Sequence, residues 1–467
     1  MEKLKGLSIS FFNYLCGNQI FGMLKNLSTS YKKILSISFP LIIGSLGYNI
    51  VAATDTFFIG RAGDQVALAA MGLVSAFYLM ITLIGLSFSR GGQILIARRV
   101  GERKWRSVGA ITQNMLYFQL ILAAAFYVIL KFFSYPILDL FIDSPEVLTA
   151  CEGYLFYRID GIFFGYGGLT AIALYSGVGR TNIIIYNTIV LGIVNVALDY
   201  LLVFGYYGFP EMGIEGAGMA SAIAEVVAFF TFVLYAWWDK ESKRYKLFNL
   251  PRIKWDLIKI QFTLSTPIAL QSGVGLFSWF IFFSLIEKLG TQELAISSAI
   301  RVIYLLFSVA AWGFGSGTST IVSQLIGSDK QHEVFWTTTK IMLICIGITA
   351  LQGSLLLIIP EQIMLLVTDD PEIIQASIDL MYMLFFIQIG VAAYTIFYNA
   401  IVGTGAISVG LAINIITAIV YIAYIYFAVI FRESLMMAWS SEFVFSVMVL
   451  SISSWYLFTN RWQKVRF

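Results

Sequence analysis

Apolar runs long enough to cross a bilayer recur along the whole chain, and they constrain its fold more than any other feature. A span of the hydrocarbon core takes about 20 mostly apolar residues. The stretch from Ile341 to Ile359 carries no charge at all. Apolar runs with at most three charged residues each fall at roughly 34–60, 66–97, 107–131, 147–176, 182–204, 216–238, 260–286, 293–326, 335–359, 372–402, 407–430 and 436–458. In lipid, backbone polar groups must be satisfied within a helix or in a closed barrel. Barrel strands alternate polar and apolar residues in short segments. These runs do not, so they predict helices. With 59% hydrophobic and 12% charged residues, against roughly 25% charged in soluble domains, the chain reads as an all-α integral membrane protein with twelve spans.

Short connections bearing Gly, Pro or charges separate the runs, and one longer charged linker occupies 239–259. Sorting the basic residues about an even number of spans places 23 of the 30 on the face that carries both termini and the linker, and four on the other face. Arg90, Arg158 and Arg301 fall within spans. Basic residues accumulate on the cytoplasmic side. The expectation is a multi-pass protein of the cell inner (cytoplasmic) membrane with both termini cytoplasmic. Residues 1–33 carry Lys3, Lys5 and an apolar patch at Phe11 and Phe12 that Asn13 interrupts. Lacking a small-residue cleavage pattern, they read as a cytoplasmic or interfacial extension.

Several functions are disfavoured. A net charge of +3 gives no case for a nucleic-acid partner. Cys16, Cys151 and Cys345 show no pairing pattern, and a single histidine, His332, excludes two-histidine zinc motifs. No nucleophile–base or metal constellation suggests an enzyme, and no cofactor is expected.

The chain repeats itself. PLIIGSLG from Pro40 aligns with PIALQSGV from Pro267 at an offset of 227 residues, which also pairs Gly63 with Gly290 and Gln65 with Gln292. At an offset of 226, Gly91, Gly101 and Lys104 pair with Gly317, Gly327 and Lys330. The same offset pairs Asp143, Pro145 and Glu146 with Asp369, Pro371 and Glu372, and Gly177 and Gly179 with Gly403 and Gly405. The halves are therefore 34–238 and 260–467, each of six helices. An even number per repeat makes them parallel repeats, with substrate sites expected between them.

A charge at membrane depth costs several kcal/mol and is a functional candidate by default. Asp55 lies in the first span, and Asn195 and Asp199 share a face of the fifth at i and i+4. Counted from the helix ends, Asp55, Asp199 and Ser221 of the sixth span sit about 8–9 Å below the external surface. Two carboxylates, an amide and a hydroxyl suit sodium, and a carboxylate pair sharing a proton fits equally. A polar cluster that only fixes helix contacts is the alternative. Glu225, one turn beyond Ser221, either extends the network or has a cavity-lining or partnered structural role. Arg158 and Asp160, at i and i+2, are expected to pair with neighbouring helices rather than with each other. By the repeat register Asp55, Asn195 and Asp199 correspond to Phe282, Tyr421 and Ile425. Ion coupling is thus expected in the first half alone, with the second supplying packing and cavity wall.

DTFFIGRAGDQVALAAMG (Asp55–Gly72), GVGRTN, NVALDYLLVFG (Asn195–Gly205), GAGMASAI (Gly216–Ile223) and the loop pair ARRVGERK and SQLIGSDK resemble the multidrug and toxic compound extrusion (MATE) family from about Lys33 onward. The resemblance implies two lobes around a central cleft and export of small organic, often cationic compounds, driven by proton or sodium influx. It points to the DinF-like branch, in which Asp55, Asn195 and Asp199 match the amino-lobe cation site and Ser221 stands where threonine is usual. The second-lobe carboxylates of NorM-like members lack counterparts. Nothing acidic occurs between Pro267 and Glu287, and Asp379 lies too near the end of its helix. Arg98 replaces a commonly seen glutamine. The partners expected are a small organic molecule, a coupling cation and the bilayer, with the protein a monomer. The competing function is a flippase for a lipid-linked oligosaccharide, whose phosphates would need cations. Only Arg90, Arg158 and Arg301 are available within the spans.

Overall fold

The computed structural model describes residues 27–249 and 253–464, so residues 1–26 of the expected extension lie outside the described residues. All regular structure among the described residues is helical. Twelve helices are long and apolar enough to cross a membrane. The first six are α1 (Tyr31–Ala62), α2 (Gln65–Gly101), α3 (Trp105–Leu138), α4 (Pro145–Val178), α5 (Asn182–Phe204) and α6 (Gly213–Trp238). The rest are α7 (Trp255–Ile286), α8 (Thr291–Gly327), α9 (Gln331–Ile358), α10 (Pro371–Thr404), α11 (Ile407–Ile430) and α12 (Leu435–Phe458).

Most helices outrun the apolar stretch that announces them, because their polar ends are capped in water rather than ended by lipid. Asp64 accepts from the backbone amides of Val66 and Ala67 to start α2. Ser144 and Asp370, 226 residues apart, cap α4 and α10, each followed by Pro at the first helical position. Gly179 (φ 81°) and Gly405 (φ 88°), also 226 apart, end the same two helices in the left-handed region. α4 passes through a 3-10 turn at Ile159–Gly161. α12 is interrupted at Ser440, with a short helix Leu435–Trp439 before Ser441–Phe458. Large apolar side chains such as Phe132, Ile193, Leu351 and Ile358 remain exposed on the outer surface, as a lipid-facing wall requires.

Within the first half α1, α5 and α6 pack together, and in the second half α10 packs against α8, α9 and α12. The halves meet through α1 and α2 against α7 and α8. Hydrogen bonds join α2 to α7 and α8 at Ser87, Phe88 and Gln93 and continue to the face that carries the 239–259 linker, here termed the linker face. There Arg98 of α2 donates to the Thr404 carbonyl of α10 at 2.9 Å, and Gln324 of α8 donates to the Gly177 carbonyl of α4 at 2.9 Å. Arg98 and Gln324 are themselves 226 residues apart, so the two bonds form a quasi-symmetric clasp. Gly101 and Gly327 touch between them. A β-carbon on either would strike the other half's backbone, at Gln324 for one and Arg98 for the other. This gives the Arg98 position a role that the sequence left unexplained.

Candidate functional site

The α1 carboxylate Asp55 is fully buried and collects three donors. Ser221 Oγ of α6 donates to Oδ2 at 2.8 Å, Tyr154 Oη of α4 donates to the same oxygen at 2.9 Å, and Asn195 Nδ2 of α5 donates to Oδ1 at 3.0 Å. Asn195 Nδ2 also reaches Ser221 Oγ at 3.2 Å. Small residues permit this convergence. Gly216 at the start of α6 packs against the Leu202 backbone of α5, and Gly218 packs against the Tyr154 backbone of α4.

One turn along α5 from Asn195, Asp199 is also fully buried and interacts electrostatically with Asp55. It receives nothing in return. Both Asp199 carboxylate oxygens and Asn195 Oδ1 are enclosed without a hydrogen-bond donor. Three acceptor oxygens on one face of α5 thus lie beside a carboxylate that has already taken the available donors. Unpartnered buried acceptors are costly, and a buried ionised carboxylate more so. The donor set is all oxygen, which suits a hard cation, and the carboxylate pair suits a proton.

The structure places Asp55, Asn195, Asp199 and Ser221 side by side. Glu225 lies apart. Its Oε1 accepts from Arg158 Nη2 of α4 at 2.5 Å, and that guanidinium stacks on Tyr78 with its carbon 4.1 Å from the ring centroid. The alternative of a partnered role is the one observed, although Glu225 and Asp55 border one cavity of about 90 Å³. Asp160 pairs instead with Lys131 of α3 at 3.3 Å, so Arg158 and Asp160 do engage different helices. With Arg158 committed to Glu225 and Arg301 exposed beside Phe283, the cations that a phosphate-handling flippase would need do not converge.

Two contributors escaped the sequence reading. Tyr154 offers no signal beyond its type. Glu442 does, since it is the only charge in the 436–458 run. It is 4% exposed in α12 and accepts from Tyr421 Oη at 2.9 Å and Tyr304 Oη at 3.4 Å. The second half therefore holds a buried carboxylate, where only packing and cavity wall were expected.

A sequence profile of the MatE family matches residues 40–201 and 267–427, one block in each half. The chain belongs to the MatE family. It is accordingly a multi-pass membrane transporter handling small molecules, and not an enzyme. Similar proteins include a probable multidrug resistance protein NorM of Agrobacterium fabrum, 26% identical over 71% of each chain. Another is the multidrug resistance protein PmpM of Pseudomonas aeruginosa, 25% identical over 75% of this chain and 73% of its own. Among solved structures, MATE in its bent conformation superposes with a TM-score of 0.81 at 17% identity, covering 92% of this chain and 95% of that one. A MOP superfamily transporter from Pyrococcus furiosus gives a TM-score of 0.79 at 18% identity, with 93% and 97% covered. These likenesses establish the MatE fold: twelve helices in two six-helix lobes around a central cleft.

Proposed function

We propose that this MatE chain is a secondary active exporter of small organic, often cationic or amphipathic compounds, driven by proton or sodium influx through the first-half carboxylate site. The observation that carries the coupling is the trio of donorless oxygens, Asp199 Oδ1 and Oδ2 and Asn195 Oδ1, facing the saturated carboxylate of Asp55. Two adjacent buried carboxylates repel when both are ionised. A single proton or sodium ion held by Asp55, Asp199, Asn195 and Ser221 relieves that repulsion and supplies the missing partner. Placing the site in the first half aligns the chain with the DinF-like branch. Glu225, locked to Arg158, borders the same cavity and holds the wall rather than the ion.

Coupling follows if loading and emptying this site bias the arrangement of the halves, so that ion and organic substrate each shift the same equilibrium. The clasp at the linker face is the contact that must open and close. The basic bias of that face supports its being cytoplasmic, with both termini inside and the chain in the inner membrane as a monomer. The relatives named for multidrug resistance support organic export as the function. Sealed vesicles holding the purified protein, with sodium and proton gradients imposed one at a time, test it. Uptake of an amphipathic organic cation should follow at least one gradient. Uptake indifferent to both would overturn the reading.

A further inference from the structure

The second half encloses a cavity of about 250 Å³ that the ion site does not use, bordered by Trp279, Trp312, Tyr304, Tyr394, Tyr421 and Glu442. Its floor is built where the repeat register would place the first-half ion site. The counterpart of Asp55 is Phe282, stacked on Tyr421 with ring centroids 6.4 Å apart, and Tyr421 is the counterpart of Asn195. Carried along the same offset, Glu442 stands where the first half has Gly216, a position closed to any side chain by the Leu202 backbone. The second half has thus lost both carboxylate positions, at Phe282 and Ile425, and gained another on a different helix.

Glu442 has neutral phenol partners only, and among the described residues it forms no ion pair. Arg90 interacts electrostatically with Tyr398 and not with Glu442. A buried carboxylate held by neutral groups favours an incoming cation. The cavity decides which kind. A bare ion with a few waters, at about 30 Å³ each, suits the 90 Å³ first-half cavity. The second is nearly three times larger, and its walls, like those of the first, carry several aromatic side chains. Aromatic faces attract ammonium groups through the ring quadrupole and form the cages that hold quaternary ammonium ligands. At about 250 Å³ it falls just below the roughly 300 Å³ at which drug-sized pockets begin. It suits the compact cationic head of a larger molecule.

We propose that this aromatic cavity is an organic-cation subsite in which Glu442 is the counter-ion, separate from the ion site at Asp55 and Asp199. Tyr421 and Tyr304 position the carboxylate, and Trp279, whose ring lies 5.2 Å from that of Tyr304, borders the same cavity. The subsite rests on the exporter reading for its role in transport, and on its own geometry for binding.

Calorimetric titration of the purified full chain with phenyltrimethylammonium tests it, with uncharged tert-butylbenzene as control. Glu442→Gln should weaken the cation at least tenfold and leave the neutral analogue unchanged, while the exposed variant Glu361→Gln changes neither. Ser278→Leu, which fills the cavity from α7 with Glu442 intact, should weaken both ligands and guards against misfolding of the first variant. Wild-type affinity for the cation in a folded Glu442→Gln protein, or in Ser278→Leu, overturns the subsite. So does failure of the wild type to bind the cation. Glu442-dependent binding without gradient-driven export would uphold the subsite and sink the exporter reading. Export with no effect of Glu442→Gln on binding would do the reverse.

Discussion

Removing the Arg98 side chain should loosen the linker face by an amount that the contact itself sets. Arg98 is 8% exposed, and its guanidinium donates to the Thr404 carbonyl across the halves at 2.9 Å. Losing a charge-assisted hydrogen bond in a buried setting costs about 1–3 kcal/mol. If that bond exists only while the face is closed, the loss shifts the closed-to-open ratio by roughly 5- to 150-fold. Ser38 of α1 reports the opening. It is fully buried and faces Gly317 of α8, so a cysteine there reacts with a thiol reagent only when the halves part, at a rate proportional to the open population. Ser38→Cys should label about tenfold or more faster in the Arg98→Ala background. Gln324→Ala should act in the same direction but less, since a neutral bond is weaker. Arg98→Gln should stay near the parent rate, because Gln324 already performs the same task in the other half. Unchanged labelling in both alanine variants would refute the clasp as a closing contact.

Two other outcomes follow from the charged pairs. Arg158→Met should lower the melting temperature in detergent, since stranding buried Glu225 costs about 3–5 kcal/mol, and Arg158→Met with Glu225→Leu should recover most of the loss; a double variant no more stable than the single one contradicts the pairing. At the end of α6, burial pushes the Asp239 carboxyl up, but hydrogen bonds from Arg180 and Ser242 outweigh it and hold it below the ordinary 3.8. A carboxylate depressed on folding contributes stability above its unfolded value and loses it as pH falls through the folded one. Asp239→Asn should therefore lower the melting temperature at pH 6, with the gap to wild type closing below pH 3.8; a gap constant with pH rules out this linkage.

The fold was legible because lipid makes hydrophobicity nearly sufficient: each long apolar run had to be a helix, and the paired glycines and prolines fixed the repeat. Helix ends were less legible, since capping by Asp64 or Ser144 depends on a few polar residues beyond the apolar run. At the ion site, helix periodicity and depth counting aligned Asp55, Asn195, Asp199 and Ser221. The same reasoning could not distribute donors. That Asp55 takes three and Asp199 none depends on the side-chain directions of four helices, and that Glu225 turns to Arg158 depends on a 3-10 turn in α4. Glu442 was visible as a lone charge, but Tyr304 and Tyr421 enclose it only through tertiary packing of α8 and α11 against α12. Arg98 looked like an unexplained departure until its partner, 306 residues away in sequence, was in place.

The coupling role of the first-half carboxylates is most directly measured in proteoliposomes containing wild type or the Asp55→Asn, Asp199→Asn double variant at equal protein levels. Organic-cation transport is followed as a sodium or proton gradient is imposed. Removing two buried charges while keeping side-chain shape should leave the protein folded. It should nevertheless abolish gradient-driven accumulation, because amides neither take up a proton nor supply the charge that holds sodium. Full gradient-driven transport by the double variant would contradict the account.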